Sequence, residues 1–400
     1  ECIAKQNRHT GLAPVSPLTR LSRVHVLMVV GEAALAVSLA DSLFLSIDPG
    51  AARSKVILFL AISLAPFAVL APIIGPYIDR LPGGRRITVC LVGFMRAMVL
   101  IAMMKWLNSL ALFPLAFLSL VLAKTYGVSR SAIMPTVVDG TEQLMAANGK
   151  LGRLTSVVGF LAGAPAVLLQ IIDTRLSLGL SACAFAGAGV AALALPRHVA
   201  AVPNAMQEIE RHELHGSEIR QAAFVMLVLR AAVGFMFFHL AFWLRDQKAG
   251  TAWFGLAVAV CSLSTFAANA IGPLLRRRIH EQRMLKLCVA SVCLGGLVAG
   301  YFGGVTAGII LAGVVNGVGS IGRLAFESIV QSKAPDANRA RAFVRYETRN
   351  QIAWVVAGLL AVIATPPGAV GFMIVGVGSA VASLLFVLQL NTSKPQTRRI

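Results

Sequence analysis

The sequence predicts an all-α membrane protein of twelve transmembrane helices, arranged as two pseudo-symmetric six-helix halves. Three observations carry that prediction. Hydrophobic residues make up 57% of the 400 and charged residues 13%, with a mean hydropathy of +0.77, too little charge to cover the surface of a soluble chain of this size. Apolar runs near 20 residues, the length that crosses hydrocarbon as a helix, recur twelve times. A short motif occurs twice: APIIGPYIDR at 71–80 and ANAIGPLLRR at 268–277 share five of ten residues, 197 positions apart. An offset of about half the chain is the mark of a duplicated architecture.

Taken in order, the expected spans are 24–47, 56–78, 87–106, 110–135, 151–172 and 177–195, then 222–244, 253–275, 285–304, 305–329, 352–365 and 368–390. The ninth and tenth abut at glycines, and the eleventh is expected to begin earlier than its apolar core, near Ala342. The domains follow: a segment 1–23, a first half 24–195, a linker 196–221, a second half 222–390 and a tail 391–400. The formal charge of +19 sits in short gaps between apolar runs rather than on a polar face, which argues for topology signals and against nucleic acid. Alternate gaps divide the basic residues 22 to 6, so both termini and the linker are expected on the cytoplasmic side of a cell membrane.

Cysteines show no metal or redox spacing. Cys90, Cys183, Cys261, Cys288 and Cys293 lie in apolar runs, where a free thiol acts as a small hydrophobe, and no metal or cofactor is expected. The chain opens at Glu1, and the first apolar run reads as a retained helix with no cleavable signal before it. The GxGxxG at 317–322 has no strand before it and is not a dinucleotide fingerprint. The chain contains no GxxxxGK[ST], hence no P-loop. The sequon at Asn391 falls on the expected cytoplasmic side. His239 reads as a buried histidine rather than a proton relay. Trp106, Trp243 and Trp253 sit at outer span ends, as an aromatic belt would place them.

The segment GPYIDRLPGGRR, 75–86, is similar to the signature loop between helices two and three of major facilitator superfamily transporters, with two residues inserted before its closing Gly-Arg-Arg. The second copy keeps Gly272 and the arginines but has Arg276 at the Asp position. The stretch 334–358, APDANRARAFVRYETRNQIAWVVAG, resembles a largely uncharacterised bacterial branch of the same family. The resemblance implies a cytoplasmic gate built from Gly75, Asp79, Arg80, Arg85 and Arg86, with Asp79 facing the start of the eleventh helix and Asp139 as a further partner. Gly83 and Gly84 give the backbone freedom for the turn. The alternative is that the arginines only orient the chain. The segment 159–165 resembles the Gly-x-x-x-Gly-Pro element of superfamily antiporters with one inserted residue, which points toward export; ordinary small-residue packing, as at Gly296, Gly300 and Gly304, is the other reading.

Ionisable residues at membrane depth are costly and therefore candidates for function. Glu32, Arg96, Lys124 and Arg230 lie in the middle of spans one, three, four and seven; Arg130, Arg323 and Glu327 lie toward the inner ends of spans four and ten; Asp41 is nearer the outer end of span one. The resemblance puts spans one, four, seven and ten around a central cavity. Glu32 and Asp41 are nine residues apart and on opposite faces, so Glu32 is the candidate carrier of a proton or other cation. A shift of 198 residues matches it with Arg230, which makes a pair across the pseudo-two-fold axis possible; the alternative to a carrier is a static ion pair locking span one to span seven. Asn316, Arg323 and Glu327 form a polar stripe, within which Arg323 and Glu327 can pair. Were most of these charges to face the cavity, it would be net positive and favour anionic or zwitterionic solutes.

The expected function is secondary transport of a small-molecule substrate through the lipid bilayer by a monomer, as proton-coupled efflux of an amphiphilic compound, with a proton or another coupling ion as co-substrate. The alternatives are an anionic metabolite or a lipid-like substrate and, in another class, a multispan membrane enzyme or a transport-inactive sensor. A clustered catalytic centre is not visible, so no enzyme activity is expected.

Overall fold

The computed structural model describes residues 16–43, 84–107, 109, 111–138, 143–196, 217–246, 250–333 and 339–392. The expected second span and the signature loop through Gly83, with Gly75, Asp79 and Arg80, lie outside them, as does Asp139. Among the described residues the chain forms eleven α-helices and one 3-10 turn: α1 Pro17–Leu43, α2 Gly84–Lys105, α3 Leu112–Ile133 with the turn Met134–Thr136, α4 Leu144–Ile172 and α5 Thr174–Ala192 in the first half; α6 Ser217–Asp246, α7 Gly250–Arg276, α8 Glu281–Phe302, α9 Gly304–Lys333, α10 Arg339–Ala364 and α11 Gly368–Thr392 in the second. Each answers one expected span. Among the described residues, eight helices are apolar and long enough to cross a membrane.

Local chemistry sets the boundaries. Ser16 Oγ accepts the Thr19 N–H at 3.3 Å, and Asp173 Oδ1 accepts the Arg175 N–H at 2.7 Å to start α5. The joint between α8 and α9 is two glycines at positive φ, Gly303 at 64° and Gly304 at 79°, a conformation side chains resist. Pro366 and Pro367 separate α10 from α11, since proline cannot continue a helix. The eleventh span does begin early, at Arg339.

The duplication is visible in how helices neighbour each other. In the first half α5 packs on α1 and α2, α4 on α1, and α3 on α2; in the second, α11 packs on α6 and α8, α10 on α6, and α9 on α8. One crossing is repeated closely. A Cβ on Gly93 of α2 would lie 2.6 Å from the Gly189 nitrogen and 2.9 Å from the Phe185 oxygen; a Cβ on Gly296 of α8 would lie 2.5 Å from the Gly376 nitrogen and 2.9 Å from the Phe372 oxygen. Backbones touch there, so only glycine fits. Each half has its own apolar core.

A third apolar cluster joins the halves at the end where α4 and α6 begin and α7 and α9 finish. Val128, Ala132 and Met145 of the first half meet Met226, Leu324 and Ile329 of the second. Here α4 and α7 are in backbone contact: a Cβ on Gly149 would lie 2.7 Å from the Asn269 oxygen, and one on Gly152 would lie 2.5 Å from the Asn269 side chain.

Candidate functional site

The closed end is held by two buried amide side chains and by one arginine that bonds to backbone. Asn148 Nδ2 donates to Gln331 Oε1 at 2.6 Å, and Gln331 Nε2 donates to the Ser131 carbonyl at 3.3 Å, linking α4, α9 and α3. Arg153 Nη1 donates to the Asn269 carbonyl at 2.8 Å. Both Asn269 and Gln331 are buried. The second motif copy is therefore part of this latch, through Asn269, Gly272 against Leu324 and Met145, and Pro273 against Gly149. Arg276, at its end, pairs with Glu281 at 2.5 Å, and Glu281 also accepts from Ser328 Oγ at 3.2 Å. Of the first copy's gate residues only Arg86 has a described side chain, so the Asp79, Arg80, Arg85 and Asp139 expectations fall outside what is described.

Beyond the latch α4 and α7 part, and Phe160, Leu161, Leu168, Ile171 and Ile172 of α4 are exposed. The space between the halves is a cavity of about 510 Å³. Ser156, Gly159 and Phe160 of α4 form one wall; Met236, Phe237 and Leu240 of α6, Ala257, Val258, Cys261, Ser262 and Thr265 of α7, and Ala312 and Asn316 of α9 form the others. Among the described residues the lining contains no charged side chain. Asn316 is thus the one candidate binding residue that lines this cavity. Gly159 reaches it too, but Gly163 has open space around it; the small-residue contact between halves is at Gly149 and Gly152 instead.

The deep charges are arranged differently from expectation. Glu32 does not pair with Arg230. Arg96 Nη1 donates to Glu32 Oε1 at 2.5 Å, with Arg96 1% exposed and Glu32 47%. Arg230 lies 3.7 Å from Glu347 of α10. The reason is register: His239, not Arg230, stands against Phe372 as Gly31 stands against Phe185, and Arg230 is nine residues nearer the closed end. Arg323 and Glu327 lie 4.0 Å apart, the mutual pairing left open by the sequence. Arg96, Lys124, Arg130, Arg230 and Arg323 are not among the residues that line this cavity.

Arg96 is held by three contacts. Besides Glu32, its Nη2 donates to Ser119 Oγ at 3.3 Å, and its guanidinium stands 3.8 Å above the Phe185 ring, a cation–π contact. Seven residues before Glu32, and so on the same face of α1, lies a group the sequence reading passed over. His25 is buried, with Nδ1 3.0 Å from the Tyr126 hydroxyl and Nε2 2.8 Å from Thr155 Oγ1. Thr155 donates its own hydrogen to the Leu151 carbonyl at 3.0 Å. It therefore accepts from His25 Nε2–H, and Nδ1 accepts from Tyr126 O–H. The spacing of seven from Glu32 was the available signal. His239 is buried as expected, stacked between Phe235 and Trp243.

The family model described as Major Facilitator Superfamily matches residues 24–358. An uncharacterized protein of Mycobacterium leprae is 27% identical over 417 residues, covering 94% of this chain and 70% of that one. The crystal structure of a bacterial homologue of the iron transporter ferroportin, in an outward-facing state, superposes with a TM-score of 0.73 at 18% identity, over 94% of this chain and 99% of that one. That of a human organic anion transporter gives 0.67 at 14% identity, over 93% and 98%. At such identities the two structures speak for the fold alone.

Proposed function

Because the chain belongs to the major facilitator superfamily and has the fold of a membrane transporter, we propose that it exports a small amphiphilic molecule in exchange for protons by alternating access. The observation that supports the cargo class is the cavity between the halves, mostly apolar, with a few hydroxyl, thiol and amide groups and no charged lining among the described residues. Rocking of one repeat against the other about a midplane site is how such duplicated transporters work, and the latch at the closed end is the contact that rocking has to break. With the basic end cytoplasmic, as the charge asymmetry argues, the closed end is the inner one and the cavity faces outward, the state from which an exporter releases cargo. No catalytic step is involved.

Glu32 is the proton-exchanging group in this reading. It is half exposed and tied to a buried guanidinium, so its protonation leaves Arg96 without a counter-charge, and the two states of the pair differ in what they ask of their surroundings. The iron and organic-anion transport named for the structural neighbours belongs to those proteins, and their difference means that the fold does not choose the cargo. The test is uptake of neutral, cationic and anionic fluorescent amphiphiles into inverted vesicles with an acid interior. Accumulation of neutral probes that collapses with a protonophore and is lost in Glu32→Gln is the expected result. Accumulation unaltered in Glu32→Gln removes that residue from coupling, and uptake of anions alone overturns the cargo class.

A further inference from the structure

The cavity carries a hydrogen-bond polarity. Asn316 Nδ2 donates to the Ala312 carbonyl at 2.9 Å and to Cys261 Sγ at 3.3 Å, which uses both amide hydrogens. The orientation is not interchangeable, because turning the amide over would set two oxygens against each other at the Ala312 contact. Asn316 therefore offers the cavity its Oδ1, an acceptor only. On the facing wall, Ser156 Oγ donates to the Gly152 carbonyl at 3.3 Å, so what it offers is its lone pairs. Two acceptors, one from each half, thus look into an apolar space.

We infer that this cavity binds an uncharged amphiphile through a hydroxyl or N–H donor on the ligand, received by Asn316 Oδ1 or Ser156 Oγ, with Cys261 acting as the strap that aims Asn316. The inference rests on the transporter reading of the same cavity and names its ligand chemistry. A carboxylate or phosphate brings no hydrogen to either acceptor and loses its hydration on entry. A fixed cation finds no counter-charge in the described lining. Ser262 and Thr265 of α7 also line the space and, as hydroxyls, can turn to either role; they set no polarity by themselves.

Cys261 is also the reporter. The full-length chain, with Cys2, Cys90, Cys183, Cys288 and Cys293 changed to Ala and reconstituted in lipid nanodiscs, is labelled at Cys261 with N-ethylmaleimide. The competing probes share one ring system: 2-naphthol carries a donor, 2-methoxynaphthalene has none, and 2-naphthoate is an anion. The expected result is that 2-naphthol protects Cys261 at about tenfold lower concentration than the ether, the worth of one hydrogen bond to an otherwise unpaired acceptor, and that naphthoate protects least. Asn316→Leu and, on the other wall, Ser156→Ala each shrink the gap between naphthol and ether; Ser156→Ala keeps the helix intact should Asn316→Leu fail to fold. Equal protection by naphthol and ether, strongest protection by naphthoate, or no protection by any of the three overturns the inference. Protection by naphthol without any counterflow of naphthol in proteoliposomes leaves this site standing and sinks the transport reading.

Discussion

The two halves share a scaffold and differ in what they pack into it. At the crossing of α2 with α5, Gly93 meets Gly189 beneath Phe185; at the crossing of α8 with α11, Gly296 meets Gly376 beneath Phe372. Three residues past the first glycine, the first half has Arg96 and the second has Ala299, both buried. On the neighbouring helix the sizes are reversed. Gly31 of α1 lies against Phe185, while His239 of α6 lies against Phe372, ring centroids 5.6 Å apart at 79°. The corresponding ring thus has a different neighbour in each half: a guanidinium from α2 over its face in one, an imidazole from α6 at its edge in the other. Volume is conserved and charge is not. At this crossing a buried cation obliges the first half to keep Glu32, whereas the second half has no cation there to balance, and its Cys261 and Asn316 lie on the cavity. Duplication followed by this exchange separates a charged centre in one half from the larger share of the cavity wall in the other.

The largest effect tests whether the scaffold is truly shared. Gly93→Leu and Gly296→Leu each drive a side chain into the backbone of a facing helix, where no rotamer relieves the overlap. Each is expected to cost about 3 kcal/mol, the upper range of overpacking, and to abolish monodisperse protein in size-exclusion chromatography. The milder Gly93→Ala and Gly296→Ala should lower the detergent melting temperature by similar amounts. A tolerated alanine on one side only would mean that the two crossings are alike in geometry but not in energetics.

The next effect asks whether the charge difference has the cost assigned to it. Glu32→Gln leaves Arg96 buried without its partner and is expected to cost about 2 kcal/mol, below the range for fully buried pairs because Glu32 is half exposed. Arg96→Met keeps volume on the Phe185 ring, and in the double variant with Glu32→Gln most of the loss should return. The thermodynamic cycle over the four proteins, read from melting temperatures, isolates the coupling. A coupling near zero would reduce the pair to a packing contact.

Much of the architecture was legible from pattern alone, because hydrocarbon thickness fixes span length and glycine or proline must stand where helices part. The abutting spans resolve into α8 and α9 at Gly303 and Gly304, and α10 begins before its apolar core, as the arginines from Arg339 onward allowed. Pairing was less legible. The motif copies set a repeat offset at their own position, and carrying that offset to α1 and α6 matched Glu32 with Arg230. The register there is set instead by how α5 and α11 seat Phe185 and Phe372, a long-range fact. The latch was missed for a simpler reason. Asn148, Gln331 and Asn269 carry no charge, so a search for costly ionisable groups passes over them, although burial, the bond from Asn148 to Gln331 and that from Arg153 to Asn269 tie the halves together.

The smallest effect concerns His239, and its sign is the informative part. Its Nε2 is buried with no hydrogen-bond partner among the described residues, packed against Gly371, while the ring interacts with the Gly368 backbone and stacks on Trp243 at 6.3 Å. An unpaired buried nitrogen costs stability, and a lost backbone contact offsets part of any gain from removing it. His239→Leu is therefore expected to change stability by no more than about 0.5 kcal/mol in either direction. It should also leave the pH dependence of transport where it was, since the ring fills volume above Phe372 as Arg96 does above Phe185, without the charge. If His239→Leu shifts the pH profile as Glu32→Gln is expected to, the second half has a titrating centre of its own at that crossing, and the contrast between a charged and a neutral crossing fails.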